Sequence, residues 1–116
     1  MIRSDVMRWN NTISWQRQYK QNIDYDVLLQ SYPNEGQLVQ GIYELIVETV
    51  AYTGKKLVVA SNELPAELVK NRLMKLNFMH IQYVISSMKK NTTEIKNIKK
   101  YLLAALYNAP ATMQGY

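Results

Sequence analysis

The sequence predicts a mainly α-helical domain, a compact bundle of five or six helices with one short β-hairpin, at about residues 56–64, between the third and fourth helices. Apolar side chains recur at spacings of three and four along several stretches, which lines one side of an α-helix. The exception is the stretch KKLVVASNEL, residues 55–64, where strand-forming residues precede a pair that favours a turn, Ser61-Asn62. A chain of 116 residues, 47% of them hydrophobic, is long enough to bury a single core.

The N-terminal 22 residues are expected to form a separate segment, helical and available as an interface, ahead of a helical domain over residues 23–116. A helical spacing runs through Ile2, Val6, Trp9 and Ile13. The aromatic side chains of this segment are expected to pack on the body of the domain or on a second copy of the chain. These are Trp9, Trp15 and Tyr19.

The next two helices are predicted from their caps and breaks. Asp24 is expected to cap a short helix that ends at Tyr32-Pro33, because the residue before a proline avoids the α region. Asn34, with Gln37 three residues later, is expected to cap the central helix, which ends near Thr53-Gly54. Gly41 is expected to allow a close helix contact. The broad apolar face of the central helix comprises Leu38, Val39, Ile42, Tyr43, Leu45, Ile46, Thr49 and Val50.

Two more helices follow the hairpin. Pro65 is expected to open one that runs to Leu76, and Asn77 to cap the other. In the first, Leu68, Val69, Leu73 and Leu76 are expected to face inward and Lys70, Arg72 and Lys75 outward. In the second, the core side comprises Phe78, Ile81, Val84, Ile85 and Met88.

The last helix has the strongest pattern and is predicted over residues 91–110. Asn91 is the expected cap, Glu94 stands at the acidic position of a capping box, and Pro110 is expected to end the helix. Its apolar side comprises Ile95, Ile98, Leu102, Ala105 and Leu106, whereas Lys96, Lys100 and Tyr107 fall on a different side with Lys99 on its flank. The second side is interpreted either as a solvated surface or as a surface for a polyanion.

Positive charge is concentrated in the second half of the chain. Residues 1–54 hold four basic and six acidic side chains, a net charge of −2, and residues 55–116 hold ten basic and three acidic side chains, a net charge of +7. A basic half fits an anionic partner, of which nucleic acid is the commonest in a cytoplasmic protein. The apolar runs are too short for a membrane span and no signal-peptide core follows the first residues, so a cytoplasmic location is expected.

The sequence offers little for catalysis, and no enzyme activity, metal or cofactor is expected. The chain has no cysteine, and its only histidine, His80, is interpreted as a surface or capping residue. Glu44 and Glu48 lie one helical turn apart but away from the apolar stripe, which indicates a solvated face. Phosphate-binding glycine motifs and the nucleophile motif GxSxG are absent from the sequence.

Three segments together resemble a known family: IDYDVLLQSYP, then GKKLVVASNELPAELVKNRLMKLN, then the run from His80 through NTTEIKNIKKYLLAALYNAPAT. They are similar to the C-terminal domain of replication initiator A (RepA-type) proteins of plasmids and conjugative elements in Gram-positive bacteria. The resemblance covers about residues 22–116, and its most specific pieces are PAELVK, NIKKYLLAAL and the Asn-Ala-Pro-Ala-Thr ending. In that family a winged-helix DNA-binding domain comes first, and the matched domain follows it.

The resemblance implies a role in starting DNA replication. C-terminal domains of related initiators are similar to the DnaD primosomal module, a helical domain that engages DNA and helps to recruit the helicase loader and the helicase. Such modules carry a tyrosine, isoleucine and tryptophan signature near the position of NIKKYLLAALYN. Tyr101 matches the tyrosine, but no tryptophan follows it, and Tyr107 is the nearest aromatic residue.

The leading hypothesis is a non-catalytic initiator domain that binds DNA through its basic C-terminal face. The alternative is a protein-interaction module that recruits a helicase loader or helicase, or a second copy of the chain, without touching DNA. Lysine contacts to phosphates would supply affinity without sequence choice, and a tyrosine would stack on unpaired bases. The candidate nucleic-acid-binding residues are Lys89, Lys90, Lys96, Lys99, Lys100, Lys70, Arg72, Lys75 and Tyr107.

Overall fold

The computed structural model describes residues 15–90 and 97–114. Within them, helix α1 covers residues 15–22, and a 3₁₀ turn (Pro33–Glu35) separates the second and third helices. The other helices are α2 (Tyr25–Ser31), α3 (Gly36–Ala51), α4 (Ala66–Met74), α5 (Phe78–Lys90) and α6 (Ile98–Gln114), and strands β1 (Lys56–Val59) and β2 (Asn62–Pro65) lie between α3 and α4. This order confirms the predicted mainly α bundle with one hairpin between its third and fourth helices.

Helix α3 is the centre of the bundle and contacts α2, α4 and α6. Its buried face confirms the predicted central helix; the buried residues are Val39, Ile42, Tyr43, Leu45, Ile46 and Thr49. The hydroxyl of Thr49 donates a hydrogen bond to the Leu45 carbonyl oxygen at 2.8 Å, which satisfies the polar group inside the core. The predicted cap was wrong, because Asn34 lies in the 3₁₀ turn and α3 begins at Gly36. The helix stops at Ala51, close to the predicted end near Thr53-Gly54.

The described part of the N-terminal segment belongs to the same core. Tyr19 is fully buried, and its hydroxyl donates a hydrogen bond to the carbonyl oxygen of Leu73 on α4 at 2.7 Å. Burial also raises the pKa of the Tyr19 phenol. The Trp15 ring packs edge-on against Tyr19 with 6.0 Å between ring centroids. The predicted stripe from Ile2 to Ile13 lies outside the described residues, and the boundary between residues 22 and 23 stays a prediction.

Helix α2 begins where it was predicted, but Asp24 does not cap it through its side chain. Asp24 occupies the N-cap position in the left-handed region, with φ of 51°, and its carboxylate makes no capping hydrogen bond. The helix ends at Ser31, ahead of Tyr32-Pro33, as the proline rule predicted. The break therefore follows from the sequence, and the left-handed entry at Asp24 does not.

The hairpin is an antiparallel pair in which Lys56 opposes Pro65 and Val59 opposes Asn62. The turn lies one residue before the predicted Ser61-Asn62. Ala60 and Ser61 form it with φ values of 53° and 68°, and positive φ at both central residues defines a type I′ turn, the form that suits strand twist. Val59 is buried and Val58 exposed, so a register shift by one residue would exchange the two faces.

Helix α4 is shorter than predicted, and one of its expected core residues faces solvent. Val69, Leu73 and the following Leu76 are buried at a spacing of four and three residues, whereas Leu68 is 42% exposed because it lies a hundred degrees away around the helix. Lys70 was expected to point outward, but only 18% of its side chain is accessible, and its ammonium lies 3.9 Å from Glu67.

Helix α5 begins with a reciprocal cap that confirms the predictions for Asn77 and His80. The backbone N–H of His80 donates a hydrogen bond to the Asn77 side-chain oxygen at 3.2 Å, and the backbone N–H of Asn77 donates one to His80 Nδ1 at 3.0 Å. This is a capping box with histidine in the place usually held by glutamate or glutamine. Burial lowers the pKa of His80, and the hydrogen bond accepted by Nδ1 also favours the neutral ring.

The stability of the domain is expected to fall as the pH drops through the folded-state pKa of His80. The unfolded histidine, with a pKa of about 6.5, binds protons more readily than the folded one, so the cap's contribution is complete above about pH 6.5 and is lost in acid. The expected loss of stability is about 1 kcal/mol, which is the typical contribution of a helix cap. Urea unfolding at several pH values measures it, with His80→Gln as the control, since glutamine keeps the capping box without titrating. An equal pH dependence in both proteins between pH 7 and 5 would contradict the prediction.

Helix α6 begins and ends later than predicted. Asn97 caps it by accepting a hydrogen bond from the Lys100 N–H at 3.1 Å, and the expected cap, Asn91, lies outside the described residues, as do Glu94, Ile95 and Lys96. Pro110 stands inside the helix rather than at its end. Proline removes one hydrogen bond, and burial of Leu106 and Ala109 keeps this part of the helix on the bundle. Ile98, an expected core residue, is 50% exposed.

Gly41 was expected to allow a close helix contact, but a side chain added there would meet open space. Apart from the adjoining backbone of α3 itself and the two chain neighbours, no heavy atom lies within 4 Å of the position of a Cβ on Gly41. Because glycine is unfavourable inside a helix, Gly41→Ala is expected to raise the free energy of unfolding by about 0.5–1 kcal/mol. Urea unfolding checks this against Gly36→Ala, which has equal space at the first position of the helix and a smaller expected gain. A loss of stability in Gly41→Ala would contradict it.

Candidate nucleic-acid interface

Some of the predicted cations are paired with carboxylates on other faces of the bundle. The Lys89 ammonium lies 3.3 Å from Glu35 and 5.7 Å from the centre of the Tyr32 ring, and the Lys99 ammonium lies 3.5 Å from Glu48. Lys70 pairs with Glu67 as described above. Such exposed pairs contribute little to stability, but they turn these side chains towards their own acids. The predicted cations therefore do not form a single basic face.

Tyr107 was predicted to lie on the exposed basic side of α6, but the structure places it elsewhere. It is 7% exposed, and the Arg72 guanidinium covers its ring with 4.3 Å between the guanidinium carbon and the ring centroid. Arg72 Nη1 also donates a long hydrogen bond, 3.4 Å, to the Tyr107 carbonyl oxygen. The physical reason is the packing of α4 on α6, which covers the side of the helix next to Leu106. A base cannot stack on a ring that is already covered.

Helices α5 and α6 pack side by side in opposite directions, since His80 at the start of α5 lies beside Pro110 and Ala111 near the end of α6. A groove of about 260 Å³ runs along the outer side of this pair. We call it the α5–α6 groove. Its lining is two half-buried tyrosines with small and polar side chains, namely Tyr83, Val84, Ser87, Tyr101, Ala104, Ala105, Asn108 and Thr112.

Cations lie at both ends of the α5–α6 groove. Lys100 lies at one end, where it lines a cleft with Tyr101, Ala104 and the turn of the hairpin. Lys90 continues the helical stripe of Tyr83 and Ser87 at that same end. At the other end a cavity of about 350 Å³, which we call the basic pocket, is lined by Arg72, Lys75, His80, Pro110 and Ala111. At 1.5 Å per residue, His80 and Lys90 are about 15 Å apart along α5.

No acid among the described residues interrupts this surface. Helices α5 and α6 carry no aspartate or glutamate over their described lengths, and Glu94 is the only acid in the sequence after Glu67. Among the described residues, no carboxylate forms an ion pair with Arg72, Lys75, Lys90 or Lys100. The described acids lie on α2, the 3₁₀ turn, α3, the hairpin and α4, and beside α2 at Asp24. The groove is thus bordered by cations that form no ion pair with a described carboxylate.

Sequence reasoning found the cations and missed the side chains between them. Tyr83, Ser87, Asn108 and Thr112 were not named as binding residues, because each is an ordinary residue on an amphipathic helix. Their spacing held a usable pattern, since 83, 87 and 90 share one stripe of α5, and 101, 104, 108 and 112 share one stripe of α6. What the spacing did not reveal is that the two stripes border the same groove.

A second groove, on a different side of α6, is mainly apolar. It encloses about 410 Å³ between α3 and α6, and we call it the α3–α6 groove. The exposed carboxylates of Glu44 and Glu48 border it, which confirms the solvated face predicted for them. Its lining residues are Gln37, Leu38, Gly41, Glu44, Leu45, Glu48, Ile98, Lys99 and Leu102.

The described residues hold no cluster of three metal-ligating side chains from histidine, cysteine, aspartate and glutamate. None of the helices described is both long enough and apolar enough to cross a bilayer.

The geometry defines a small α-helical bundle with a basic groove that no described acid lines. The chain belongs to DUF6017, a protein family of unknown function, whose model matches residues 3–116. No curated protein and no solved structure matches it.

Proposed function

We propose that this chain is a non-catalytic, cytoplasmic domain of a plasmid or mobile-element DNA replication initiator, and that it binds DNA along the α5–α6 groove. The resemblance to RepA-type C-terminal domains supports the biological setting. The observation that carries the DNA contact is the groove itself, with Lys90 and Lys100 at one end, Arg72 and Lys75 at the other, and no carboxylate on either helix over its described length.

The chemistry of the groove suits a nucleic-acid strand. Ammonium and guanidinium groups contact phosphates without reading the bases, so they supply affinity and position. Tyr83 and Tyr101 are half-buried and offer ring edges or faces to unpaired bases, which favours a single strand in the groove. Ser87, Asn108 and Thr112 add hydrogen-bonding groups between the two ends.

Titration of the purified chain with single-stranded and double-stranded DNA at 50 and 200 mM salt tests the proposal. Four phosphate contacts, from Arg72, Lys75, Lys90 and Lys100, correspond to a slope of about −3 to −4 in a plot of log K against log salt. Affinity should therefore fall roughly 50-fold or more between the two salt concentrations. No binding at 50 mM salt, or binding that does not respond to salt, would overturn the proposal.

A second candidate function is the recruitment of a replication protein such as a helicase loader, without DNA contact. The α3–α6 groove favours it, because an apolar channel with half-exposed Ile98 suits the apolar face of a partner helix. A leucine at Gly41 would place a side chain in the groove. Loss of helicase-loader retention in Gly41→Leu, with DNA binding unchanged, would favour this function, whereas a strict monomer that retains no replication protein would count against it.

A further inference from the structure

The basic pocket differs from the rest of the surface because three nitrogen-bearing side chains meet in one concavity. Arg72 comes from α4, Lys75 from its C-terminal end and His80 from the first turn of α5, while Pro110 and Ala111 of α6 form the apolar wall. No carboxylate of the described residues lines the pocket. Three groups that donate hydrogen bonds, two of them always cationic near neutral pH, thus face about 350 Å³ of space.

The hydrogen bonds around the pocket determine which donors remain. His80 Nδ1 accepts a hydrogen bond from the Asn77 N–H, so the proton of the neutral imidazole is on Nε2, and the ring offers Nε2–H as a donor. Arg72 uses Nη1 on the Tyr107 carbonyl oxygen, and the rest of its five N–H groups remain. Lys75 has no carboxylate partner among the described residues.

A phosphate group matches this set of donors. A guanidinium binds two oxygens of a tetrahedral anion in a fork, an ammonium adds a point charge, and the imidazole adds one more directed hydrogen bond. The pocket adjoins the α5–α6 groove along α5, since Tyr83, which lines the groove, follows His80 by one helical turn.

We propose that the basic pocket is a phosphate-binding site, in which Arg72, Lys75 and His80 hold a phosphate of the DNA strand that lies in the α5–α6 groove. This inference rests on the proposed function for the source of the phosphate, but the site itself also binds the free anion. By holding this phosphate, the basic pocket fixes one end of the DNA strand in the α5–α6 groove.

The single histidine makes the site directly observable. We would titrate the ¹⁵N-labelled chain with inorganic phosphate at constant ionic strength, set with potassium chloride, and follow the imidazole proton signals of His80. A saturable shift of these signals, together with an upward shift of the His80 pKa as the anion binds, is the expected result. No saturable shift would overturn the phosphate site.

Two variants assign the binding to the pocket. Among the described residues, the Lys75 side chain forms no ion pair. Lys75→Gln is expected to weaken phosphate binding on the order of 10-fold, and Arg72→Gln at least as much. Lys99→Gln changes the net charge equally but lies beside Glu48, so its phosphate affinity should match that of the wild-type chain. Because Arg72 also packs on Tyr107, thermal unfolding accompanies that variant, and Lys75→Gln decides the test if Arg72→Gln is unfolded. Equal phosphate affinity in Lys75→Gln and wild type would overturn the proposal.

DNA titrations separate this inference from the proposed function. Binding of inorganic phosphate with no binding of DNA supports the site and overturns the function. DNA binding that is insensitive to Lys75→Gln overturns the site, and it leaves the proposed DNA binding to the Lys90 and Lys100 end of the groove. An oligonucleotide with a 5′-phosphate is compared with the same oligonucleotide without it, which distinguishes a terminal phosphate from one within the strand. The site is supported if the wild-type chain binds either oligonucleotide more tightly than the Lys75→Gln variant does.

Discussion

The double variant Lys90→Gln/Lys100→Gln is expected to bind DNA on the order of 50-fold more weakly than the wild-type chain at about 0.1 M salt, since each lost phosphate contact removes about 0.7–0.9 from the salt slope. Both lysines lie at the same end of the α5–α6 groove and form no ion pair with described carboxylates. Fluorescence anisotropy at three salt concentrations measures both the affinity and the slope, which should become less steep by about 1.5–2.

The matched control is Lys89→Gln/Lys99→Gln. Each lysine is the sequence neighbour of a groove lysine and the net charge changes equally, but Lys89 lies beside Glu35 and Lys99 beside Glu48. Both double variants therefore lower the net positive charge of the protein by the same amount, but only Lys90→Gln/Lys100→Gln removes contacts in the groove. Equal weakening of DNA binding in the two would show that the groove has no special role, and DNA binding would then depend on net charge alone.

Replacing Tyr19 with alanine is expected to lower the free energy of unfolding by about 3–5 kcal/mol, the range for removing a buried large aromatic side chain. Tyr19 is fully buried between α1 and α4, and its hydroxyl bonds the Leu73 carbonyl oxygen. Tyr19→Phe removes only the hydrogen bond, at about 1 kcal/mol. A loss of 3–5 kcal/mol is a large part of the 5–15 kcal/mol that a domain usually has.

Urea unfolding measures these differences, with Tyr52→Ala as the control because Tyr52 is an exposed tyrosine just after α3. A surface substitution of this kind is expected to change stability by about 0.5 kcal/mol or less. A Tyr19→Ala variant as stable as Tyr52→Ala would mean that α1 is not part of the cooperative core. The N-terminal segment would then be separable, as the sequence suggested.

The fold was predictable where it depends on the spacing of apolar residues and on residues that break helices or form strands. Apolar spacing identified the core of α3 and α5, and the proline after Tyr32 and the strand formers of residues 56–59 identified a break and a hairpin. The errors lie where tertiary packing competes with a local rule. Pro110 does not stop α6, because Leu106 and Ala109 beside it are buried. Ala60 and Ser61 adopt positive φ without glycine, because the strand register places the turn there.

The candidate site was only partly predictable for a related reason. Sequence counts show that the second half of the chain is basic, but they do not show which lysines meet an acid. Lys99 and Lys100 are neighbours in the chain and lie on different sides of α6, one beside Glu48 and the other beside the hairpin turn. That difference depends on the placement of α3 and the hairpin, which one helix's periodicity does not determine. Tyr107 was misplaced for the same reason, since α4 covers its side of α6.

The contact between Arg72 and Tyr107 restricts which residues position 72 can accept. One guanidinium covers an aromatic ring and bonds the backbone of the same residue, which joins α4 to α6. Lysine carries the same charge, but its compact ammonium lacks the planar fork needed to do both at once. An exchange usually regarded as conservative would therefore loosen this junction between helices, and redesign of the surface charge of this domain should leave position 72 unchanged.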